Sequence, residues 1–332
     1  MKKRNKYKYG VAIIGLLTLG LSMLYLTKEQ GNATAFIPNA KSGDISIVNT
    51  EENRVIETIE VGDSTSHGIA ITPDKKKLYT GNLEKGEVYI YDMETKGLIK
   101  KINTGRNLHG IDITPDGQYL YVTSGWTDKK EEYNYINIID TEKDKIVKTI
   151  KSDESSPAHI DFSKNSKYAY VVNVMGNSVS IVDVDKKTID KVIDVGVMPN
   201  EAELSPDNKY LYVANVQSGT ISVIDLDKKK LIDTIEAGEG THGVAVSNDG
   251  KQVWTTNMYS NDVSVIDIEK REVIKSIKTN GIANHISIVP KKNRVYVTNK
   301  ETNNITVIDT KTYEIISEIK VGDEPHEIDF ML

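Results

Sequence analysis

The chain contains no cysteine, and it has only 8 prolines, 3 phenylalanines and 2 tryptophans among 332 residues. Without cysteine it can form no disulfide, no thiolate metal site and no cysteine nucleophile. Because proline is scarce, segments rich in valine, isoleucine, threonine and tyrosine are free to pair as β-strands. The composition therefore excludes a disulfide-stabilised scaffold and favours an all-β protein.

Net positive charge is confined to the N-terminal segment. Six of the 42 basic residues and one of the 48 acidic residues lie in residues 1–35, so residues 36–332 carry a net charge of −11. A domain this acidic does not attract a polyphosphate backbone. We therefore expect no nucleic-acid partner.

One long apolar run is present, near the N-terminus. Five basic residues precede the 17 uncharged residues 10–26, and Lys28 follows them. A basic segment before an apolar run stays in the cytoplasm while the chain after it is exported. We predict a signal peptide or signal anchor at residues 1–30 and a linker at residues 31–34, with membrane contact through this segment only. Residues 33–35 (ATA) resemble a cleavage site, so the protein is expected to be extracytoplasmic, either membrane-anchored or secreted.

Internal repeats of about 42 residues fill residues 35–332. Seven segments each end a short strand with an aromatic-containing pentapeptide: AFIPN (35–39), LYTGN (78–82), LYVTS (120–124), AYVVN (169–173), LYVAN (211–215), VWTTN (253–257) and VYVTN (295–299). An alternating strand follows each pentapeptide, and two further strand patterns complete each unit. Four strands in a unit of this length are typical of a propeller blade.

These segments resemble the YVTN β-propeller repeat of surface-layer and secreted bacterial proteins. The resemblance implies an all-β, seven-bladed propeller of four-stranded antiparallel blades over residues 35–332. The chain enters this domain at a second strand, Phe36–Asn39, and stops at a first strand, Pro325–Leu332. We expect these two to pair, because that pairing closes the ring and removes two exposed strand edges. The aromatic residue of each pentapeptide is expected to pack between neighbouring blades.

All six histidines lie where innermost strands begin, and they are His67, His109, His159, His242, His285 and His326. Asn200 occupies the equivalent position in the repeat that lacks a histidine, and Asn284 precedes His285. Innermost strands line the central channel, so these residues should converge at one mouth. His159 and His285 are offset by one residue, at the position of Glu201 and Glu327 in two other repeats. Since adjacent strand residues point to opposite faces, the pattern predicts a differentiated site rather than a simple collar.

Three interpretations of the histidines remain open. They are metal ligands, or acid/base groups of a lyase or hydrolase with Glu201 and Glu327 as catalytic carboxylates, or junction residues that bond neighbouring backbone. Imidazole suits copper and other divalent transition metals. Six imidazoles exceed the four ligands of an ordinary zinc site, which favours copper and more than one ion.

A second resemblance supports copper. Histidines at inner-strand starts of a seven-bladed propeller are similar to the arrangement in nitrous oxide reductase and copper thiocyanate dehydrogenase, and Glu324–Glu327 (EPHE) resembles the EPHD segment of the reductase. That resemblance implies a copper centre at the channel mouth and an oxidoreductase activity. The chain departs from the reductase because it has no cysteine-bearing electron-transfer domain and no His-His pair.

The loop at residues 125–134 is the longest insertion between repeats, and it carries Trp126. We expect it over the channel mouth, with Trp126, Asn200 and Asn284 lining the pocket. The sequence thus predicts an extracytoplasmic metal-binding propeller, with an unknown small-molecule substrate. The alternative is a cell-surface binding module without catalysis, whose partner is another surface component.

Overall fold

The structure is a computed structural model that describes residues 33–62, 64–65, 67–83, 85–105, 107–125 and 134–332. These residues form 28 β-strands and no helix. Accordingly, no helix among them is long and apolar enough to cross a membrane. The predicted signal or anchor at residues 1–30 lies outside the described residues, as does Trp126.

The strands are mostly six or seven residues long and follow one another at the spacing of the repeats. In chain order they are β1 Thr34–Asn39, β2 Asp44–Asn49, β3 Arg54–Glu60, β4 Ile69–Ile71, β5 Lys77–Asn82, β6 Glu87–Asp92, β7 Leu98–Asn103, β8 Leu108–Ile113, β9 Tyr119–Ser124, β10 Tyr135–Asp140, β11 Lys145–Lys151, β12 Pro157–Phe162, β13 Tyr168–Asn173, β14 Ser178–Asp183, β15 Thr188–Asp194, β16 Pro199–Leu204, β17 Tyr210–Asn215, β18 Thr220–Asp225, β19 Lys230–Glu236, β20 Thr241–Val246, β21 Gln252–Asn257, β22 Asp262–Asp267, β23 Glu272–Lys278, β24 Ala283–Ile288, β25 Arg294–Asn299, β26 Asn304–Asp309, β27 Ile315–Lys320 and β28 Asp329–Met331.

Seven four-stranded antiparallel sheets form the blades of the propeller. Blade 1 has the strand order β28-β1-β2-β3, and blades 2 to 7 are β4–β7, β8–β11, β12–β15, β16–β19, β20–β23 and β24–β27. In blade 1 the C-terminal strand pairs antiparallel with the N-terminal one, with Ala35 opposite Phe330 and Phe36 opposite Asp329. The predicted fold class and ring closure are therefore confirmed.

The last residue of the pentapeptide has a structural role in most blades. Asn173 is fully buried, and its Nδ2 donates to Ser178 Oγ at 3.1 Å and Ser180 Oγ at 2.9 Å on the following strand. Asn257 makes the equivalent bonds to Asp262 and Ser264. Because the side chain satisfies groups on the next strand, it fixes the turn that faces the channel mouth.

The pentapeptide aromatics pack between blades, as predicted. All seven are buried, and they are Phe36, Tyr79, Tyr121, Tyr170, Tyr212, Trp254 and Tyr296. Tyr121 of blade 3 meets Phe162 of blade 4 edge to face, with ring centroids 5.1 Å apart. Across the closure, the hydroxyl of Tyr296 in blade 7 donates to Asn53 Oδ1 of blade 1 at 2.7 Å. These contacts join neighbouring blades and hold the inner strands around a common channel.

Candidate metal centre at the channel mouth

The six histidines converge on one end of the central channel. They line a cavity of about 230 Å³ together with Asn200 and Asn284. The rings of His67 and His326 are stacked with centroids 3.8 Å apart, and His109, His159 and His285 continue the cluster at centroid separations of 4.7 to 4.9 Å. His242 meets His285 at 4.9 Å. The predicted convergence is what the geometry shows.

The expected alternation along the inner strands holds only in part at the mouth. Glu201 and Glu327 line a second cavity that the residues one position earlier do not line, as a differentiated site requires, but His159 and His285 line both cavities. The reason is an irregularity in the strand pairing, where the register shifts between Leu108 and Ile111 in blade 3, and between Ala283 and Ile286 in blade 7. At such an irregularity the strict two-residue period of a strand is lost.

A glycine follows the histidine in blades 2, 3 and 6 for a steric reason. A Cβ on Gly68 would lie 2.4 Å from the backbone nitrogen of Ile111, and one on Gly110 would lie 2.4 Å from the carbonyl oxygen of Ala158. The inner strand of the next blade thus leaves no space for a side chain there. In these blades the histidine occupies the first of the two offset mouth positions and glycine the second. Blades 1, 4, 5 and 7 carry a side chain at the second position.

Two histidines pair with carboxylates from other blades. His159 Nδ1 of blade 4 hydrogen-bonds Glu327 of blade 1, and His285 Nδ1 of blade 7 lies 3.2 Å from Glu201 Oε2 of blade 5. Each carboxylate also accepts a backbone N–H of the adjacent blade, Glu201 from Val244 at 3.2 Å and Glu327 from Ile69 at 3.3 Å. The carboxylates therefore orient imidazoles and satisfy strand-edge donors.

The remaining mouth residues form a hydrogen-bonded arc. His242 Nδ1 lies 3.1 Å from the carbonyl oxygen of Asn284 and 3.4 Å from Asn200 Nδ2. Asn284 Nδ2 lies 3.2 Å from His326 Nδ1, and His67 Nδ1 lies 3.3 Å from His109 Nε2. Because a carbonyl oxygen only accepts, the proton of neutral His242 is on Nδ1 and its Nε2 carries a lone pair.

Burial keeps most of the imidazoles neutral. Loss of solvent and then the charges of neighbouring histidines lower the pKa of His67, His109, His242 and His326 well below the ordinary value. Burial, followed by the charge of His159, lowers the pKa of His285 to about 3. Burial also acts to lower the pKa of His159, but the Glu327 carboxylate outweighs it, so that pKa is raised. Burial raises the pKa of Glu201 to about 7.

A second cavity of about 160 Å³ adjoins the mouth cavity, since His159 and His285 line both. Glu201 and Glu327 also line it, together with four further carboxylates, those of Asp112, Asp161, Glu203 and Asp329. The sequence reasoning missed these four. They lie two residues beyond the second mouth position, so the two-residue strand period would have identified them.

As the side chains stand, no three His, Asp or Glu residues in the described part of the chain are arranged to hold a metal ion. The sequence reasoning also missed Lys300, which lines the mouth cavity beside Met258 and Tyr259. It occupies the position immediately after the last pentapeptide residue. Comparing that position across the seven repeats would have identified it, because the other six residues there are apolar or glycine.

Comparison with known proteins supports the fold. A family model described as YNCE-like beta-propeller matches residues 24–331. Among curated relatives, Antigen Lp49 of Leptospira interrogans is 25% identical over 175 residues, which is 50% of this chain and 38% of that protein. An uncharacterized protein of Staphylococcus aureus (strain USA300) is 28% identical over 132 residues, 35% of this chain and 37% of that protein. The alignments thus span under two fifths of these relatives.

Three solved structures are similar in fold. Hydrazine synthase of Kuenenia stuttgartiensis has a TM-score of 0.75 and 21% identity, covering 84% of this chain and 92% of that one. A functionally unknown protein from Desulfotomaculum acetoxidans has a TM-score of 0.78 at 15% identity, covering 90% and 99%. Dihydro-heme d1 dehydrogenase NirN has a TM-score of 0.67 at 14% identity, covering 89% and 74%. At these identities the likeness concerns the fold alone.

Proposed function

The chain belongs to the YNCE-like β-propeller family, and from that premise and the geometry of the channel mouth we propose that it is an extracytoplasmic metal-binding propeller whose histidines hold copper. Family membership supplies the scaffold but no chemistry. The function is inferred from the side chains that the scaffold brings together. The basic, then apolar N-terminal sequence supports the extracytoplasmic location that we propose.

The observation that carries the proposal is the orientation of three imidazoles. His159 and His285 have their Nδ1 atoms bonded to carboxylates, and His242 has its Nδ1 bonded to a carbonyl oxygen. In the neutral tautomer that donates from Nδ1, the Nε2 atom carries the lone pair that binds a metal. Imidazoles held in this way by a carboxylate or a backbone carbonyl are the usual ligands of protein metal sites.

The spacing of His67 and His109 is also that of two ligands of one ion. Two nitrogens bound at about 2.05 Å and at the tetrahedral angle lie about 3.3 Å apart. The observed separation of His67 Nδ1 and His109 Nε2 is 3.3 Å. The same distance is that of the hydrogen bond that the pair now makes, so a metal ion bound by both nitrogens would replace the shared proton and require both rings to turn their lone pairs toward it.

Copper fits this donor set better than other metals do. Imidazole nitrogen suits copper, zinc, iron and nickel, and thioether sulfur selects Cu(I). Met198 and Met258 line the same cavity as the histidines. A copper ion bound here would face a cavity that admits small molecules, so an oxidoreductase reaction is the activity we propose for it. Other divalent transition metals are the alternatives to test.

A second candidate function is a binding module without catalysis. The observation in its favour is that, in the described part of the chain, no three ligand side chains surround a common point. In that case the stacked and hydrogen-bonded imidazoles would fill the channel as a neutral polar plug. The histidines would then contribute to stability and not to metal binding.

Metal content separates these two functions. The full chain is purified from a copper-supplemented culture and its metals are quantified, alongside His159→Ala, His285→Ala and the double variant. We expect copper in the wild type, less in each single variant, and little in the double variant, with melting temperatures within a few degrees. Wild-type protein without copper, together with variants that melt much earlier, would establish the structural role instead.

A further inference from the structure

We propose that the channel mouth binds a small anion, held between the ammonium group of Lys300 and the Nε2–H group of His326. Both residues line the mouth cavity of about 230 Å³. The class of ligand is a small carboxylate or an inorganic oxyanion, because a cavity of about 230 Å³ admits only small molecules and both groups favour a negatively charged acceptor.

The first observation is an unpartnered donor. His326 is 4% exposed, and its buried Nε2 has no hydrogen-bond partner among the described residues. Asn284 Nδ2 lies 3.4 Å from the Pro325 carbonyl oxygen and 3.2 Å from His326 Nδ1. Since the carbonyl fixes the amide nitrogen as the donor, His326 Nδ1 accepts, and the ring proton of neutral His326 is on Nε2. A buried N–H without an acceptor is costly, and an acceptor in the cavity removes that cost.

The second observation is the position of Lys300. The equivalent residues of the other six blades are Ala40, Leu83, Gly125, Val174, Val216 and Met258. Lys300 is thus the one cation at this position, and it is partly buried at the cavity wall. Its backbone N–H donates to the Ile282 carbonyl oxygen at 3.0 Å, which anchors the residue at the mouth. The blade fold does not require a lysine there, because apolar residues serve in the other blades.

The charge of Lys300 is directed at the cluster and is only partly neutralised. Glu324 Oε2 lies 3.8 Å from Lys300 Nζ, and both side chains are 37% exposed. An ion pair of this length and exposure is weak. The same ammonium group contributes to lowering the pKa of His67 and His326, after burial and neighbouring histidines. The mouth therefore has a positive end within an acidic domain. An anion bound there would pair with the Lys300 ammonium group and accept the N–H of His326.

A role for this anion as substrate rests on the proposed metal site, because the anion would lie beside the metal. Anion binding itself needs no metal, so it is tested in metal-free full-length protein. Formate and nitrate are titrated separately at constant ionic strength, and the histidine ring resonances are followed by NMR. We expect saturable shifts of the His326 ring resonances, with affinity about five- to tenfold weaker in Lys300→Met.

Lys300→Met places in blade 7 the residue that blade 6 carries at Met258, so the variant should fold. Lys320→Met, an exposed change on β27 of the same blade, is the matched control and should bind as the wild type does. Linear, unsaturable shifts in the wild type, or equal affinities in Lys300→Met and wild type, would overturn the anion site. Copper titration of the same samples is independent: saturable anion binding without copper binding would refute the metal site alone.

Discussion

His159 of blade 4 reaches across the channel to the carboxylate of Glu327 in blade 1, at a sequence separation of 168 residues. Glu327 in turn accepts the backbone N–H of Ile69 in blade 2. One carboxylate therefore links three blades and fixes which nitrogen of His159 bears a proton. The pair of His285 and Glu201 repeats this relationship between blades 7 and 5.

Glu327→Gln and Glu201→Gln should weaken copper binding by about ten- to a hundredfold without abolishing it. The reason is that glutamine keeps the shape but lowers the basicity of the imidazole that it orients. Competitive titration against a copper chelator measures the change. Glu57→Gln, on the exposed outer strand of blade 1, is the control and should bind as the wild type does. A complete loss of binding would identify the carboxylates as ligands, and no change would make them bystanders.

Gly110→Ala should destabilise the protein by about 1–3 kcal/mol, because the added Cβ overpacks the contact with blade 4. That Cβ would lie 2.4 Å from the Ala158 carbonyl oxygen. Urea denaturation measures the free energy of unfolding. Gly97→Ala is the control, since Gly97 is exposed and its Cβ would meet only the Thr95 side-chain oxygen, at 3.2 Å. Equal stability of the two variants would show that blade 4 can move away.

Removal of Pro325–Leu332 should lower the melting temperature by about 10 °C or more. The deletion takes away β28 and leaves β1 as an unpaired edge in blade 1. It also removes Phe330 from the apolar contacts between blades 7 and 1. Removal of Leu332 alone, which lies outside β28, should have little effect. Thermal denaturation monitored by circular dichroism measures both deletions. An unchanged melting temperature in the longer deletion would contradict closure of the ring by this strand.

The stability of the metal-free protein should fall as the pH falls below 6.5, in part through His285. The unfolded chain takes up a proton at this residue near its ordinary pKa of 6.5, whereas the folded chain does not until about pH 3. Between these values the unfolded state binds more protons, so the free energy of unfolding decreases as the pH falls. Glu201, with its pKa raised to about 7, acts in the opposite direction.

Urea midpoints of His285→Gln between pH 6.5 and 4 test this linkage. The stability of the variant should fall less steeply with pH than that of the wild type, because the variant lacks one residue whose pKa is lowered in the folded state. Asn200→Ala changes the same mouth without removing a titrating group, and its slope should match that of the wild type. If the slope of His285→Gln equals the wild-type slope, His285 titrates normally in the fold.

Much of this fold could be predicted from the sequence, because each repeat encodes its own strands and turns. The alternation of apolar and polar residues predicted the strands, and the recurring aromatic residue of the pentapeptide predicted the packing between blades. The phase of the repeat at the two ends predicted the pairing of Phe36 with the C-terminal strand. The antiparallel pairing of residues 34–36 with residues 329–331 confirms it. Local patterns sufficed because a blade contacts mainly its neighbours.

The site was only partly predictable. The histidines could be placed at one mouth because they recur at one phase of the repeat. Their mutual orientation could not, since it depends on the irregular pairing at the start of strands such as β8 and β24. The partners of His159 and His285 come from non-adjacent blades, and no sequence period links residues across a channel. The predicted roles of Trp126, copper and the catalytic carboxylates stay predictions.

Calorimetric titration of the metal-free full-length protein with Cu(II) tests the central claim most directly. We predict saturable binding at or below about 1 μM, with protons released on binding, since His159 has a raised pKa and must give up its proton to a metal. Affinity should therefore fall as the pH falls through the pKa of His159, which the Glu327 carboxylate raises above the ordinary histidine value of about 6.5. Binding that is weak and unsaturable, and unchanged in the His159→Ala/His285→Ala double variant, would contradict a metal centre at the channel mouth.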